Sequence, residues 1–378
     1  MRIAVLADAL RAAGGLSVGK NMIAAMGRVA PEHTYLLTLP AGVGYEPIIE
    51  HVPRCEAVFR HDRGKRVRLW LYRTFEEPRL VKRFGPDVIL SLGNRGLLDP
   101  PCPQAILVQD AHHFYPSEQY GQETPMLRLI WRYHAQHLRK TLRRAQLVLC
   151  QTAVAERRLR QTHDYKGRTA ICPNAVSTAL LARPANASPP PALVPFDGFT
   201  KLLCLTRYYA HKNLESIVDT FSRFKEELSE VVVVLTIAPD QHPRAARLLR
   251  AIAKRDLTDR IINVGPLSQE VLASYYANCD ALLLPTLLES FTGTYLEAMH
   301  FGLPILTSDL DFAHGLCGAA ALYFDPRDPR SMKRAILRIK DDFETRQQLR
   351  QQGRARLGSM LNDWDDIANH VICLLKQL

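Results

Sequence analysis

The order of strand-like and helix-like stretches in this 378-residue chain predicts an α/β protein of two doubly wound, Rossmann-like domains. Three observations carry that reading. Short apolar runs of strand length alternate with longer stretches of helical periodicity. A segment from Arg183 to Pro195 then interrupts the pattern with five prolines among small residues, the composition of an interdomain linker. The same alternation restarts beyond it, and the length suits two domains.

In the first half, strands are expected at Ile3–Leu6, Tyr35–Leu39, Asp87–Leu92, Gln104–Val108, Gln146–Cys150 and Thr169–Cys172. Helices fall between them at Ser17–Val29, about Val67–Phe84, Met126–Arg144 and Ala153–His163, with Ser17 placed to cap the first. In the second half, strands are expected at Lys201–Thr206, Val231–Ile237, Arg260–Val264, Ala281–Leu284, Pro304–Thr307 and Ala320–Phe324. Helices there cover Asn213–Glu227, Pro243–Arg255, Gln269–Asn278 and Tyr295–Phe301, and a helical run from Pro329 closes the chain. The domains are placed at 1–183 and 200–362, with 184–199 as linker. Two such domains create a cleft at the carboxyl ends of their strands, where open α/β sheets bind ligands.

Hydrophobic residues make up 47% and charged residues 23%, a soluble balance, and no apolar run is long enough to cross a bilayer. The first strand meets Asp8 too early for a signal peptide, so a cytoplasmic protein is expected. Eight scattered cysteines without a C-x2-C pair read as reduced core residues. Net charge is +11, and it is lopsided: residues 1–185 hold 27 Lys and Arg against 15 Asp and Glu, leaving 22 against 23 in the remainder. The excess clusters in Arg60–Arg83 and Arg128–Arg144, interleaved with Trp70, Tyr72, Phe75, Trp131 and Tyr133. Such helices suit an anionic membrane surface or the diphosphate of a lipid-linked acceptor, and equally an ordinary amphipathic helix with its aromatics inside. No nucleic-acid motif accompanies the charge, and no nucleic acid is expected.

Three loops at strand ends carry chemistry. Gly14 and Gly15 after the first strand let backbone N–H groups approach a pyrophosphate, although the spacing is not G-x-G-x-x-G. Arg207 and Lys212, after the first strand of the second half, offer a guanidinium fork and a mobile ammonium for phosphate oxygens. Glu289 and Glu297 bracket Ser290, Phe291, Thr292, Gly293 and Thr294, where a helix begins. That segment presents two carboxylates, each able to accept from adjacent sugar hydroxyls, and a helix N-terminus favourable to phosphate.

The stretch from Glu289 through Glu297, continuing Ala298-Met299-His300-Phe301-Gly302-Leu303-Pro304, closely resembles the E-x7-E motif of family-4 retaining glycosyltransferases, which have the GT-B fold. The resemblance is strong from about Lys201 to Phe324 and loose before that. It implies transfer of a hexose from a nucleoside diphosphate sugar, GDP- or UDP-linked, to a glycan or lipid-linked glycan, with retention at the anomeric carbon. Bacterial surface polysaccharide or lipopolysaccharide assembly is the expected setting, with the enzyme peripheral on the inner face of the membrane. The acceptor would bind the first domain and the nucleotide sugar the second, and the last helix, about 363–378, would pack back on the first. Glu289 would hold the donor sugar and Glu297 the ribose hydroxyls, while Arg207, Lys212 and the Gly14-Gly15 loop would face the diphosphate. In Gln109-Asp110-Ala111-His112-His113 the family's histidine is matched by His112 ahead of His113, as hydrogen-bonding group or proton acceptor, although the wording departs from His followed by Asp. Asp309 and Asp311 are read as shaping a loop; no metal and no cofactor is expected beyond the nucleotide sugar as co-substrate. A nucleotide-sugar epimerase on the same fold and a non-enzymatic basic scaffold are the alternatives.

Overall fold

The computed structural model describes residues 1–61, 66–116, 125–181, 188–360 and 363–378, which form two compact units. Among them, the first takes in residues up to 177 together with 363–378, and the second takes in 178–360.

The first unit is built on seven parallel strands: β1 (Arg2–Leu6), β2 (Thr34–Pro40), β3 (Cys55–Arg60), β4 (Val88–Ser91), β5 (Gln104–Val108), β6 (Leu147–Cys150) and β7 (Thr169–Ile171). Their order across the sheet is β3-β2-β1-β4-β5-β6-β7. Alternate residues of β1 serve opposite faces. Ile3 and Val5 join Met22, Met26 and Val371, while Ala4 and Leu6 join Leu36, Val81 and Phe84. The closing helix Trp364–Leu375 belongs to this unit, buried along Ile367, Ala368 and Val371. Asp363 caps it through the N–H groups of Asp365 and Asp366, and Arg28 of the helix Ala13–Val29 holds Asp365 through Nε and Nη2 at 3.1 and 2.5 Å.

The second unit repeats the plan with β8 (Thr200–Cys204), β9 (Val231–Leu235), β10 (Ile261–Asn263), β11 (Ala281–Leu284), β12 (Ile305–Ser308) and β13 (Ala321–Phe324), in the order β10-β9-β8-β11-β12-β13. Every pair is parallel, and β9, β11 and β12 are buried along their whole length, as a sheet covered on both faces requires. In both units the order reverses beside the first strand, between β1 and β4 and between β8 and β11. Doubly wound sheets bind ligands at such a switch point.

Several expectations need correction. The first helix begins at Ala13 rather than Ser17, so Gly14 and Gly15 form its first turn, with Ala12 as the cap. Strand β3 was missed, because this edge strand is only partly covered and its apolar run is limited to Ala57-Val58-Phe59 between charged residues. The helix Asp311–Cys317 was also missed, and the residue before it, Leu310, makes no side-chain cap. Part of the expected linker is ordered: Pro191–Phe196 forms a 3-10 turn with Leu193 buried, while 184–187 lie outside the described residues. All eight cysteines are free thiols and five are buried, but Cys373 is exposed. Among the described residues no helix is long and apolar enough to cross a membrane.

The basic segments also differ from a simple amphipathic pattern. Arg63 and Lys65 lie outside the described residues. Residues Arg66–Phe84 form one helical stretch with a π turn at Tyr72–Glu76, ending where Gly85 adopts φ +63°. Trp70, Leu71 and Phe75 of this stretch are exposed, as are Met126, Leu129 and Tyr133 of the helix Pro125–Leu142. Arg60 and Arg73 instead turn inward onto a buried carboxylate.

Candidate active site

The loops that leave β8 and β11 are neighbours because those strands are neighbours, and the backbone stitches them together. The amide of Leu287 donates to the His211 carbonyl at 2.7 Å, and the Thr286 hydroxyl donates to the same oxygen at 3.3 Å. Asn213 sits in the left-handed region at φ +55°, a conformation asparagine tolerates, and its amide donates to the carbonyls of Pro285 and Pro326 at 3.2 and 2.8 Å. This stitching brings Lys212 against Glu289: Nζ donates directly to Oε1 in an ion pair whose two side chains are only 15% and 12% exposed. Arg207, earlier on the same loop, is exposed.

Ser290 to Thr294 run from this pair into the helix Gly293–His300. Thr292 is its extended N-cap and makes no side-chain capping bond, so first-turn N–H groups have no partner from the cap. The helix is anchored by Tyr295, whose hydroxyl meets Thr307 Oγ1 at 2.5 Å, and Thr307 in turn donates to the Leu284 carbonyl at 3.1 Å. Glu297 lies one turn in. Burial raises its pKa above the ordinary carboxylate range, and a hydrogen bond from the Tyr276 hydroxyl to Oε2 at 2.6 Å opposes that rise. Glu297 Oε2 is therefore already held by Tyr276.

In the first unit, Gly15 lies beside Gln109 at the end of β5: a Cβ there would stand 3.9 Å from the Gln109 amide nitrogen. Asn94 Oδ1 fixes this loop by accepting from the amides of Gln109 and Asp110 at 2.6 and 2.9 Å. Asp110 caps the short turn Ala111–His113 through the His112 amide and also binds His112 Nδ1 at 2.8 Å. Burial would raise the Asp110 pKa, but the His112 bond and charge hold it at about 2. The His112 ring stacks on Trp131, centroids 3.9 Å apart and planes within 5°. Imidazole orientation is thus set from two sides. His113 points inward instead, 5% exposed beside His163, and burial lowers its pKa to about 4.

A buried charge cluster in the first unit escaped the sequence reading. Asp8, at the end of β1, meets Arg60, Arg73 and Arg95, and Arg95 also pairs with the fully buried Glu77, which accepts from Thr38 Oγ1 at 3.0 Å. Burial pushes the Asp8 pKa up, and Arg95, Arg73 and Arg60 outweigh it, leaving about 2; for Glu77 burial dominates and the pKa rises. The signal was the early Asp8 itself, which had been used only against a signal peptide.

In the second unit Asp309 accepts from His314 Nε2 at 2.6 Å, and Asp311 opens the helix Asp311–Cys317.

Residues 191–356 match the family model described as Glycosyl transferases group 1. Among curated relatives, the chain is 25% identical over 132 residues to the O-antigen chain mannosyltransferase RfbU of Salmonella typhimurium, covering 35% of this chain and 36% of that protein. It is 26% identical over 144 residues to the serotype-specific mannosyltransferase WbdA of Escherichia coli, covering 37% and 17%. The matched region is thus well under half the length of either relative. Among solved structures, sucrose-phosphate synthase from Thermosynechococcus elongatus aligns over 100% of this chain and 98% of its own, with TM-score 0.76 and 19% identity. Anabaena HepE in complex with UDP-glucose aligns over 100% of both chains, at TM-score 0.75 and 16% identity. WaaG, a glycosyltransferase involved in lipopolysaccharide biosynthesis, aligns over 99% of both, at TM-score 0.73 and 13% identity. The fold is GT-B, and within it residues 191–356 match the glycosyl transferases group 1 family model.

Proposed function

We propose that the protein transfers a hexose from a nucleoside diphosphate sugar, GDP- or UDP-linked, to a glycan or lipid-linked glycan, with retention at the anomeric carbon. The observation that carries this reading is the Lys212–Glu289 pair at the switch point of the second sheet, beside the helix N-terminus at Gly293. Catalysis of such a transfer rests on neutralising a departing diphosphate, which cationic side chains and a helix N-terminus can do without a metal ion. Arg207, Lys212 and the amides near Gly293 take that part, Glu289 orients the donor sugar, and Glu297 accepts from a ribose hydroxyl. His112, oriented by Asp110 and Trp131, hydrogen-bonds reacting sugar hydroxyls or accepts a proton. The likeness to the O-antigen chain mannosyltransferase RfbU and to WaaG, involved in lipopolysaccharide biosynthesis, favours assembly of O-antigen or lipopolysaccharide as the setting.

A membrane-facing role for the first unit is supported by the exposed Trp70, Leu71, Phe75, Met126, Leu129 and Tyr133 on its arginine-rich helices. The enzyme would then work on the inner face of the membrane.

Thermal-shift screening against UDP-, GDP-, ADP- and dTDP-sugars tests the donor, since a ligand that binds only the native state raises its melting temperature. Transfer to glycan acceptors, assayed with and without EDTA and with the product anomer read by NMR, tests the reaction. No stabilisation by any of these donors refutes the reading, abolition by EDTA refutes the metal-free step, and an inverted product refutes retention.

A further inference from the structure

Glu297 is half-buried in the helix Gly293–His300, and the desolvation of its carboxylate means that the ionised group needs a hydrogen-bonding partner to stay charged and fixed in place. Its partner comes from another element. Tyr276, near the end of the helix Gln269–Asn278, is 0% exposed, and its hydroxyl reaches Glu297 Oε2 at 2.6 Å. The phenol ring is locked in turn by a parallel stack on Phe301, centroids 5.1 Å apart and planes within 3°. With Oε2 held, Oε1 faces the start of the same helix, 3.9 Å from where a Cβ on Gly293 would stand.

We infer that Tyr276 is a positioning residue for nucleotide binding: its hydroxyl fixes the Glu297 carboxylate so that Oε1 is offered to a ribose hydroxyl beside Gly293. The inference rests on the proposed donor-binding role of Glu297. It is specific in its chemistry. The ligand group is a hydroxyl donor on the ribose, so a nucleotide lacking the 2′- and 3′-hydroxyls does not sense Tyr276.

Calorimetry on the full chain with UDP and GDP, beside their 2′,3′-dideoxy counterparts, tests it in wild type, Tyr276→Phe, Glu297→Gln and the double variant. The phenylalanine keeps the ring and its stack. Tyr276→Phe should weaken the preferred ribonucleotide about 3–10-fold, the range of one net hydrogen bond. It should leave the dideoxynucleotide unchanged and add no further loss of ribose selectivity in the Glu297→Gln background. In turnover the loss should fall on KM rather than kcat. Equal weakening of both ligands would show a structural role only, and no weakening of either would remove Tyr276 from nucleotide binding; each overturns the inference. If Glu297→Gln itself keeps full selectivity for the ribonucleotide, the reading of Glu297 fails, and the inference falls with it.

Discussion

Replacing Glu289 by Gln should abolish turnover and also destabilise the second unit, and the two losses can be separated. The carboxylate and the Lys212 ammonium are in contact with little exposure. Unit charges about 4 Å apart attract by roughly 4 kcal/mol at an effective dielectric of about 20. Desolvation of both groups offsets much of this, so neutralising one partner leaves a net loss of about 1–3 kcal/mol, chiefly from the uncompensated lysine. For a domain of this size that lowers Tm by about 2–10 °C. Lys212→Met added to Glu289→Gln removes the orphaned charge and should return most of the stability. Activity should not return: both the single and the double variant should fall about 100-fold or more, because a contact made to the reacting sugar is gone. Thermal unfolding and initial-rate assays on Glu289→Gln, Lys212→Met and the double variant decide it. Near wild-type turnover in folded Glu289→Gln sinks the site, and a double variant no more stable than the sum of the singles sinks the ion pair as a stabilising contact.

Arg207→Ala should weaken a nucleoside diphosphate by about 10-fold, as for one charge-assisted hydrogen bond, and the monophosphate far less; equal losses by calorimetry would take Arg207 out of the phosphate site. Stability should fall as pH drops from about 6.5 to 4, because His113 is buried neutral with its pKa lowered to about 4 while the unfolded chain takes up a proton at its ordinary value. The loss from this residue is about 3 kcal/mol once pH reaches 4, levelling below that, and a denaturant midpoint unchanged over the window in wild type would contradict it. Vesicles with anionic lipid should pellet the protein at low salt and release it at high salt, through charges worth about 1 kcal/mol each near a surface. A variant with exposed Arg139, Lys140, Arg143 and Arg144 changed to Gln should pellet less; wild type left in the supernatant refutes membrane contact, and equal pelleting removes this helix from it.

Local patterning determined a great deal of this molecule. The strands β5 and β11 and the helices Ala153–His163 and Gln269–Asn278 were legible to the residue, because an apolar run or a helical period is a property of neighbours in sequence. The segment Glu289–Glu297 was legible for the same reason, as a strand end, a loop and a helix start in one stretch. What only the tertiary structure decided is which distant groups meet. Lys212 and Glu289 are separated by 77 positions and join because β8 lies beside β11, an order that crossover connections set and composition does not record. Asp8 gathers Arg60, Arg73 and Arg95 in the same way, drawing two arginines of the basic segment Arg60–Arg83 into a buried cluster. How each of the adjacent, identical residues His112 and His113 is held is likewise not recorded in sequence. Asp110 and Trp131 hold one ring while the other is packed against His163, because a turn of three residues points successive side chains in different directions.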